Sequence, residues 1–206
     1  MKPGRLITLE GGEGAGKSTN ARYIRSWLLG KGRESILTRE PGGSPLAEAI
    51  REIVLQDWPE GMPASAEILL MFAARAAHLR NTILPALQAG KDVICDRFID
   101  SSYAYQGAGK GIPLEQIAQL ENMVMPGFQP ALTIIFDLDP RHGLNRTHAR
   151  GEQNRFESET LDYMQRVREM FLTRARENPQ RCVILDAGRP LELVQSDLNN
   201  ILEKYL

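Results

Sequence analysis

Apolar and polar positions along the chain fall into blocks of two kinds. Short, nearly continuous apolar runs bounded by glycine, proline or charge read as strands. Longer stretches with apolar residues three and four apart read as helices. Arg5–Glu10 is the first strand, and Ala21, Ile24, Trp27 and Leu28 then recur at helical spacing up to Gly30. Glu34–Arg39 is a second strand, stopped by Glu40-Pro41-Gly42-Gly43. Ser44-Pro45 has the form of an N-cap followed by proline at the first helical position, with Leu46, Ala49, Ile50, Ile53 and Val54 expected on one helix face. Gln56–Pro63 reads as a loop, and an alanine- and leucine-rich helical region follows to Gln88, where Pro85 kinks it or starts a new segment. Asp92–Asp96 is a third strand. Ser101–Gly111 is polar and glycine-containing, and Pro113 opens a helix to about Met125.

The strongest strand is Ala131–Leu138, a nearly continuous apolar run of the kind that suits a parallel strand covered on both faces. Pro140 starts a helix to about Ala149, and a short charged stretch at 150–156 leads into an amphipathic helix carrying Leu161, Met164, Val167, Met170, Phe171 and Leu172. Cys182–Asp186 and Leu191–Leu206 complete the chain as a strand and a helix. Strand and helix alternate throughout, which predicts a doubly wound α/β fold: a five-stranded parallel sheet with helices on both faces. One domain over 1–206 is expected, with 150–156 as a mobile lid loop.

Composition narrows this little. The 206 residues are 42% hydrophobic and 25% charged, as in an ordinary soluble protein, and the formal net charge of −1 gives no reason to expect a nucleic-acid polymer as partner. Cys95 and Cys182 each sit in an apolar run and read as buried reduced thiols. The N-terminus lacks an apolar export region and no window is apolar enough for a membrane span, so a cytoplasmic location is expected.

Chemistry enters at Gly11-Gly12-Glu13-Gly14-Ala15-Gly16-Lys17-Ser18-Thr19, which matches the phosphate-binding loop G-x-x-x-x-G-K-[ST]. A strand precedes it and a helix follows, as the motif requires. Glycines let backbone N–H groups close on an anion, the helix N-terminus adds its dipole, Lys17 adds charge, and the Ser18 hydroxyl suits Mg²⁺. The motif alone indicates only a nucleoside triphosphate. Other polar groups cluster at expected strand ends, where ligands of such sheets bind. Asp96 reads as a metal carboxylate or a helix cap, and Arg97 as a phosphate fork or a surface ion pair. Phe72 and Arg75 share a helix face that could grip a flat base, although a phenylalanine there is more often core. Ser101–Gly107 offers hydroxyls, an amide and rings, or is a plain polar loop. Arg146, Arg150 and Arg155 crowd the 150–156 stretch, either to meet charge on a transferred phosphoryl group or as a solvated face.

Taken together, Gly11–Thr19, Thr38–Gly43, Phe72-Ala73-Ala74-Arg75, Asp96-Arg97-Phe98, Tyr105-Gln106-Gly107 and Arg150–Arg155 resemble bacterial thymidylate kinases over nearly the whole chain. The resemblance implies transfer of the ATP γ-phosphate to thymidine 5′-monophosphate (dTMP) with Mg²⁺, a step towards dTTP, in a homodimer. It implies that residues 11–19 bind ATP, with Ser18 and Asp96 serving the metal. Glu13 would lie near the sugar 3′-hydroxyl, and Arg97 would hold the acceptor phosphate with Arg39 and Glu40 nearby. Ser102, Tyr105 and Gln106 would line base and sugar beside Phe72 and Arg75. Some members carry an arginine inside the phosphate-binding loop. Here Gly14 follows Glu13, so Arg150 and Arg155 are the catalytic arginines that the resemblance implies, beside Lys17 and Arg97. One spacing departs from many members: Phe72 stands three before Arg75 and Met71 four, offsets that share a helix face. Either could be the stacking residue. Two other readings compete: another nucleoside monophosphate or nucleoside kinase, and a P-loop switch protein. The switch strings Asp-x-x-Gly at a strand end and Asn-Lys-x-Asp are absent.

Overall fold

The computed structural model describes residues 3–148 and 160–206. Five parallel strands form one sheet: β1 (Leu6–Glu10), β2 (Ser35–Arg39), β3 (Asp92–Asp96), β4 (Leu132–Asp137) and β5 (Cys182–Asp186), in the order β2-β3-β1-β4-β5. The expected doubly wound α/β fold is what forms. β1 is central and completely buried, pairing Leu6 with Val93 on one side and Ile7 with Leu132 on the other. That double coverage explains the unbroken apolar runs. The two polar residues facing each other inside the sheet satisfy one another, the Thr8 and Thr133 hydroxyls lying 2.7 Å apart.

The helices are α1 (Lys17–Gly30), α2 (Pro45–Leu55), α3 (Ala64–His78), α4 (Leu84–Gln88), α5 (Ile99–Ser102), α6 (Leu114–Val124), α7 (Pro140–His148), α8 (Leu161–Glu177) and α9 (Leu191–Tyr205). α1 and α9 close one face over Ile7, Leu9, Ile134 and Phe136, while α3, α4 and α6 close the other over Leu6, Val93 and Cys95. Each fully buried aliphatic side chain in these layers contributes roughly 1.5–3 kcal/mol relative to exposure. Capping follows the sequence: Ser44 Oγ accepts from Ala47 N with Pro45 at the first helical position, and Thr160 Oγ1 accepts from Tyr163 N. Both cysteines are buried thiols.

The structure corrects two expectations, at α2 and at Ser101–Gly111, and bears out a third, the new segment expected at Pro85. The inner face of α2 is Ala47, Ile50 and Val54, packed on Met71, Ala74 and Ala77 of α3, whereas Leu46 and Ile53 point outward. The 64–88 region is not one helix, because a π-helical turn (Leu79–Ile83) intervenes before Pro85 starts α4. Ser101–Gly111 is no polar loop: α5 runs directly into a second π-helical turn (Tyr103–Gly109), and Ser101 to Gly107 are all buried.

Candidate active site

The carboxyl ends of β1, β2 and β3 converge, with Arg39 in register with Asp96 and Asp96 with Leu9. The phosphate-binding loop rises from β1. Gly11 (φ 130°) and Gly14 (φ 70°) both need the left-handed backbone region, and a Cβ on either would lie 2.4 Å from a carbonyl oxygen, of Phe136 and Gly143 respectively. The loop is thus pressed against β4 and α7 on one side. On its other side a Cβ built on Gly12 meets nothing within 4 Å. The loop is open at Gly12, and Gly16 is the N-cap residue of α1. Lys17 is buried, and its ammonium donates to the carbonyls of Gly11 (3.0 Å) and Gly12 (2.9 Å). Burial, and then the positive charge of Arg97, lower its pKa against the pull of Asp96 and Glu13.

Ser18 Oγ donates to Asp96 Oδ2 at 3.1 Å, joining loop and β3. The other carboxylate oxygen, Oδ1, is buried and has no hydrogen-bond partner among the described residues. Asp96 is therefore no helix cap. A hydroxyl beside a carboxylate with a spare oxygen is a donor set that fits Mg²⁺, which takes few protein ligands and completes its shell with phosphate and water.

Arg97 follows at φ 69°, the one non-glycine residue with positive φ among the described residues. That backbone is costly for a side chain and marks a functional constraint. It turns the guanidinium inward. Nη1 donates to Gly11 O (2.9 Å), Nη2 donates to Glu13 Oε1 (2.6 Å), and Cζ sits 4.7 Å from the centre of the Tyr105 ring. Tyr105 OH also donates to Glu13 Oε1 at 3.1 Å. Burial would raise the Glu13 carboxyl, but Arg97 and Lys17 hold it below its ordinary value.

Beyond Arg97 lies a second polar group under the α3 helix. Arg75, 1% exposed, donates through Nε to Glu40 Oε2 (2.8 Å), through Nη1 to Ser102 Oγ (3.0 Å) and through Nη2 to Phe98 O (3.0 Å). Glu40 Oε1 lies 3.1 Å from His78 Nδ1. The Phe72 ring stacks on Arg75 at 4.9 Å, while Met71 packs towards α2. Gln106 Nε2 donates to Glu67 Oε1 (2.9 Å) and its own Oε1 is buried without a partner among the described residues. Lys110 Nζ donates to Glu67 Oε2 at 2.8 Å. Arg39 is exposed and pairs with Glu48 at 3.0 Å. A pocket lined by Gly12, Glu13, Tyr105, Leu138, Tyr163 and Met164 opens beside these groups.

The sequence reading gives three residues at this site no role, although it places Glu10 in a polar cluster at a strand end. Glu10 ends β1 inside an apolar run. Its Oε1 accepts from Phe98 N (2.8 Å) and Ser101 N (3.3 Å), and its Oε2 from Ser101 Oγ (2.6 Å), so it caps α5 from another element. Burial, then Asp100, push its pKa up to about 7. A buried charge at a strand's carboxyl end was the available signal. Arg51 on α2 donates to Pro41 O at 2.8 Å, and burial, then Arg39, lower its pKa, with Arg97 and Asp96 also in its field. Glu67 is hidden among alanines and leucines, and nothing local distinguishes it. Arg146 Nη1 donates to Gly14 O (3.4 Å) and Ala187 O (3.3 Å). Arg150 and Arg155, with the whole 150–156 stretch, lie outside the described residues.

Comparison with known proteins bears on this geometry. The model of the thymidylate kinase family matches residues 9–198. A thymidylate kinase of Pseudomonas fluorescens is 53% identical over 98% of this chain and 97% of its own length. One from Teredinibacter turnerae is 48% identical over 98% and 99%. The crystal structure of thymidylate kinase from Ehrlichia chaffeensis superposes with a TM-score of 0.79 at 33% identity, covering 98% of this chain and 99% of that one.

Proposed function

Because the chain belongs to the thymidylate kinase family and so phosphorylates dTMP, we propose that its site divides the work between a donor side around the phosphate-binding loop and an acceptor side around Arg75. On the donor side, residues 11–19 bind ATP as phosphate donor. The observation that carries this is the one-sided loop: backbone-tight against β4 and α7, open over Gly12, with Lys17 at its base. Ser18 and Asp96 hold Mg²⁺, which when bound supplies charge neutralisation between phosphates.

The nucleophile is a phosphate oxygen of dTMP, whose second ionisation lies near pKa 6, so it is already charged and no general base is needed. Glu13 fits that requirement. Its carboxylate is held ionised and occupied by Arg97 and Tyr105, which suits orienting the arginine and meeting a sugar hydroxyl rather than taking a proton. As the acceptor oxygen attacks, the bond from the γ-phosphorus to ADP breaks, leaving dTDP and ADP. Arg97 grips the acceptor phosphate bidentately, with Arg39 nearby. Phe72 offers its ring to the base, and Arg75, Ser102, Tyr105 and Gln106 line the base and sugar, held by Glu40. The amide oxygen of Gln106, buried and without a partner among the described residues, can accept a hydrogen bond from a donor group of the acceptor nucleotide. Arg150 and Arg155 meet charge on the transferred group, and Lys17 does so from below. They serve the transition state more than the ground state. Arg155→Ala is therefore expected to lose on the order of 10²-fold in kcat with little change in either KM, and steady-state kinetics checks it.

The enzyme acts as a cytoplasmic homodimer on free nucleotides, without nucleic-acid polymer or membrane as partner. No helix among the described residues is long and apolar enough to cross a membrane. ADP release measured with dTMP, thymidine, uridylate or adenylate as acceptor, and with none, tests the whole reading. Turnover dependent on dTMP supports it. Hydrolysis indifferent to acceptor would make the chain a switch, and preference for another acceptor would move the base assignment.

A further inference from the structure

We propose that Arg166 is a positioning residue for the acceptor site: from α8 it fastens the carbonyl end of the π-helical turn that carries Tyr105 and Gln106. It thereby sets acceptor affinity without touching the acceptor. The inference rests on the reading that Tyr105 and Gln106 line that site.

The turn Tyr103–Gly109 does not close its own end. The backbone donors that follow it, Lys110 N, Ile112 N and Gly111 N, reach the carbonyls of Tyr105, Gln106 and Gly107. The next two carbonyls, of Ala108 and Gly109, accept instead from Arg166 Nε (3.0 Å) and Nη2 (3.0 Å). Two N–H groups of one planar fork on two successive carbonyls is a geometry that a lysine ammonium does not reproduce. Positive charge at the carbonyl end of a helical turn also opposes its dipole favourably. The third arm, Nη1, pairs with Asp162 one turn earlier on α8, which keeps the fork aimed.

Tyr163 completes the brace. Its hydroxyl donates to Tyr105 O at 3.4 Å, and its ring fills the space beside Gly109, where a Cβ would come within 2.6 Å. α8 thus holds the turn at the Tyr105 carbonyl and at its last two carbonyls, those of Ala108 and Gly109. Between them Tyr105 reaches Glu13 and lies under Arg97, so a shift of the turn is felt where the acceptor sugar and phosphate bind. π-helical turns carry an irregular backbone and are found chiefly at functional positions, where neighbours must hold them. The fork itself is not core: the Arg166 side chain is 47% exposed. The core tie between α8 and this region lies in other residues: Val167 and Phe171 cluster with Ala104 and Tyr105, and Arg174 pairs with buried Asp100 at 2.8 Å. Stability and positioning therefore reside in different residues of one helix.

The test is steady-state kinetics on Arg166→Ala, Arg166→Lys, Tyr163→Phe and Gln106→Ala, varying dTMP and ATP separately, with thermal melting alongside. Losing both fork bonds is expected to raise the dTMP KM of Arg166→Ala about three- to tenfold while the ATP KM stays within about twofold. Arg166→Lys recovers only part of the loss, and Tyr163→Phe gives the same split at smaller size. A dTMP KM unchanged in Arg166→Ala but raised in Gln106→Ala overturns the inference and leaves the acceptor site intact. An unchanged dTMP KM in both overturns the inference together with the acceptor reading. Equal rises for both substrates, or lost melting temperature with no split, would make Arg166 a structural residue and also overturn it.

Discussion

Residues at this site carry more than one duty. Arg97 is the clearest case, since its strained backbone, its ion pair with Glu13 and its ring contact with Tyr105 all fix one guanidinium. Glu10 supports that turn from below, and its charge has a pH signature. Its folded pKa is raised to about 7 from an ordinary 4.5, by burial first and Asp100 second, against the pull of Ser101 and Arg97. Between those values the folded state binds the proton that the unfolded chain releases. The stability contribution is therefore complete below the unfolded value and is lost as pH rises through the folded one. We expect denaturant unfolding of the wild type to show this decline between about pH 4.5 and 7. Glu10→Gln, which cannot ionise, should flatten it. An equal slope in both proteins would show that Glu10 titrates normally.

At the scale of elements, the strands were legible almost to the residue, because the central strands of a parallel sheet, buried on both faces, keep polar positions few and the apolar runs nearly continuous. Helix ends with Ser44-Pro45 or a glycine were legible too. What failed was wherever tertiary packing overrode local signals. Tyr103–Gly109 reads as a polar loop because its hydroxyls and amide are polar, yet the segment is largely buried and those groups donate to Glu121, Glu13 and Glu67. The phosphate-binding loop was identifiable by its glycines, but not which glycine does what. Gly14→Ala places a Cβ against Gly143 O on a left-handed backbone. It should cost about 1–3 kcal/mol of stability, read by chemical denaturation, as well as activity. Gly12→Ala meets open space and should fold like the wild type while its methyl occupies the phosphate concavity and weakens ATP binding. Equal stability loss in the two variants would contradict the one-sided loop.

For the whole molecule, the exposed apolar positions of α2 and α3 become informative, three of them on α2 (Leu46, Ala49 and Ile53) being ones the helical pattern placed on the inner face. Leu46, Ala49 and Ile53 on α2 and Leu69 and Ala73 on α3 face outward from two helices that pack on each other through their inner faces. Exposed apolar positions on neighbouring helices are candidates for an interaction surface, and in the proposed homodimer each copy would present the same patch. The double variant Leu46→Asp/Leu69→Asp is expected to sediment as a monomer at micromolar concentrations where the wild type is a dimer, with the melting transition of the remaining monomer intact. A wild type that is monomeric throughout would remove the homodimer from the proposal.

The central strand is made before both of its partners. β1 pairs with β3 some ninety residues later and with β4 about forty residues later still (Leu6↔Val93, Ile7↔Leu132). Such distant pairings impose a large loop-closure cost before any contact rewards it. The consequence is temporal. The nucleotide cradle emerges from the ribosome early but lacks a rigid floor until Phe136, against which Gly11 rests, has been synthesised. Nascent chains halted before β4 should leave Lys17 unable to protect the amino-terminal segment from protease on adding ATP, whereas chains released past β5 should be protected. Through most of translation this protein carries its nucleotide-binding signature without a nucleotide-binding site, and its apolar β1 is then open to chaperones.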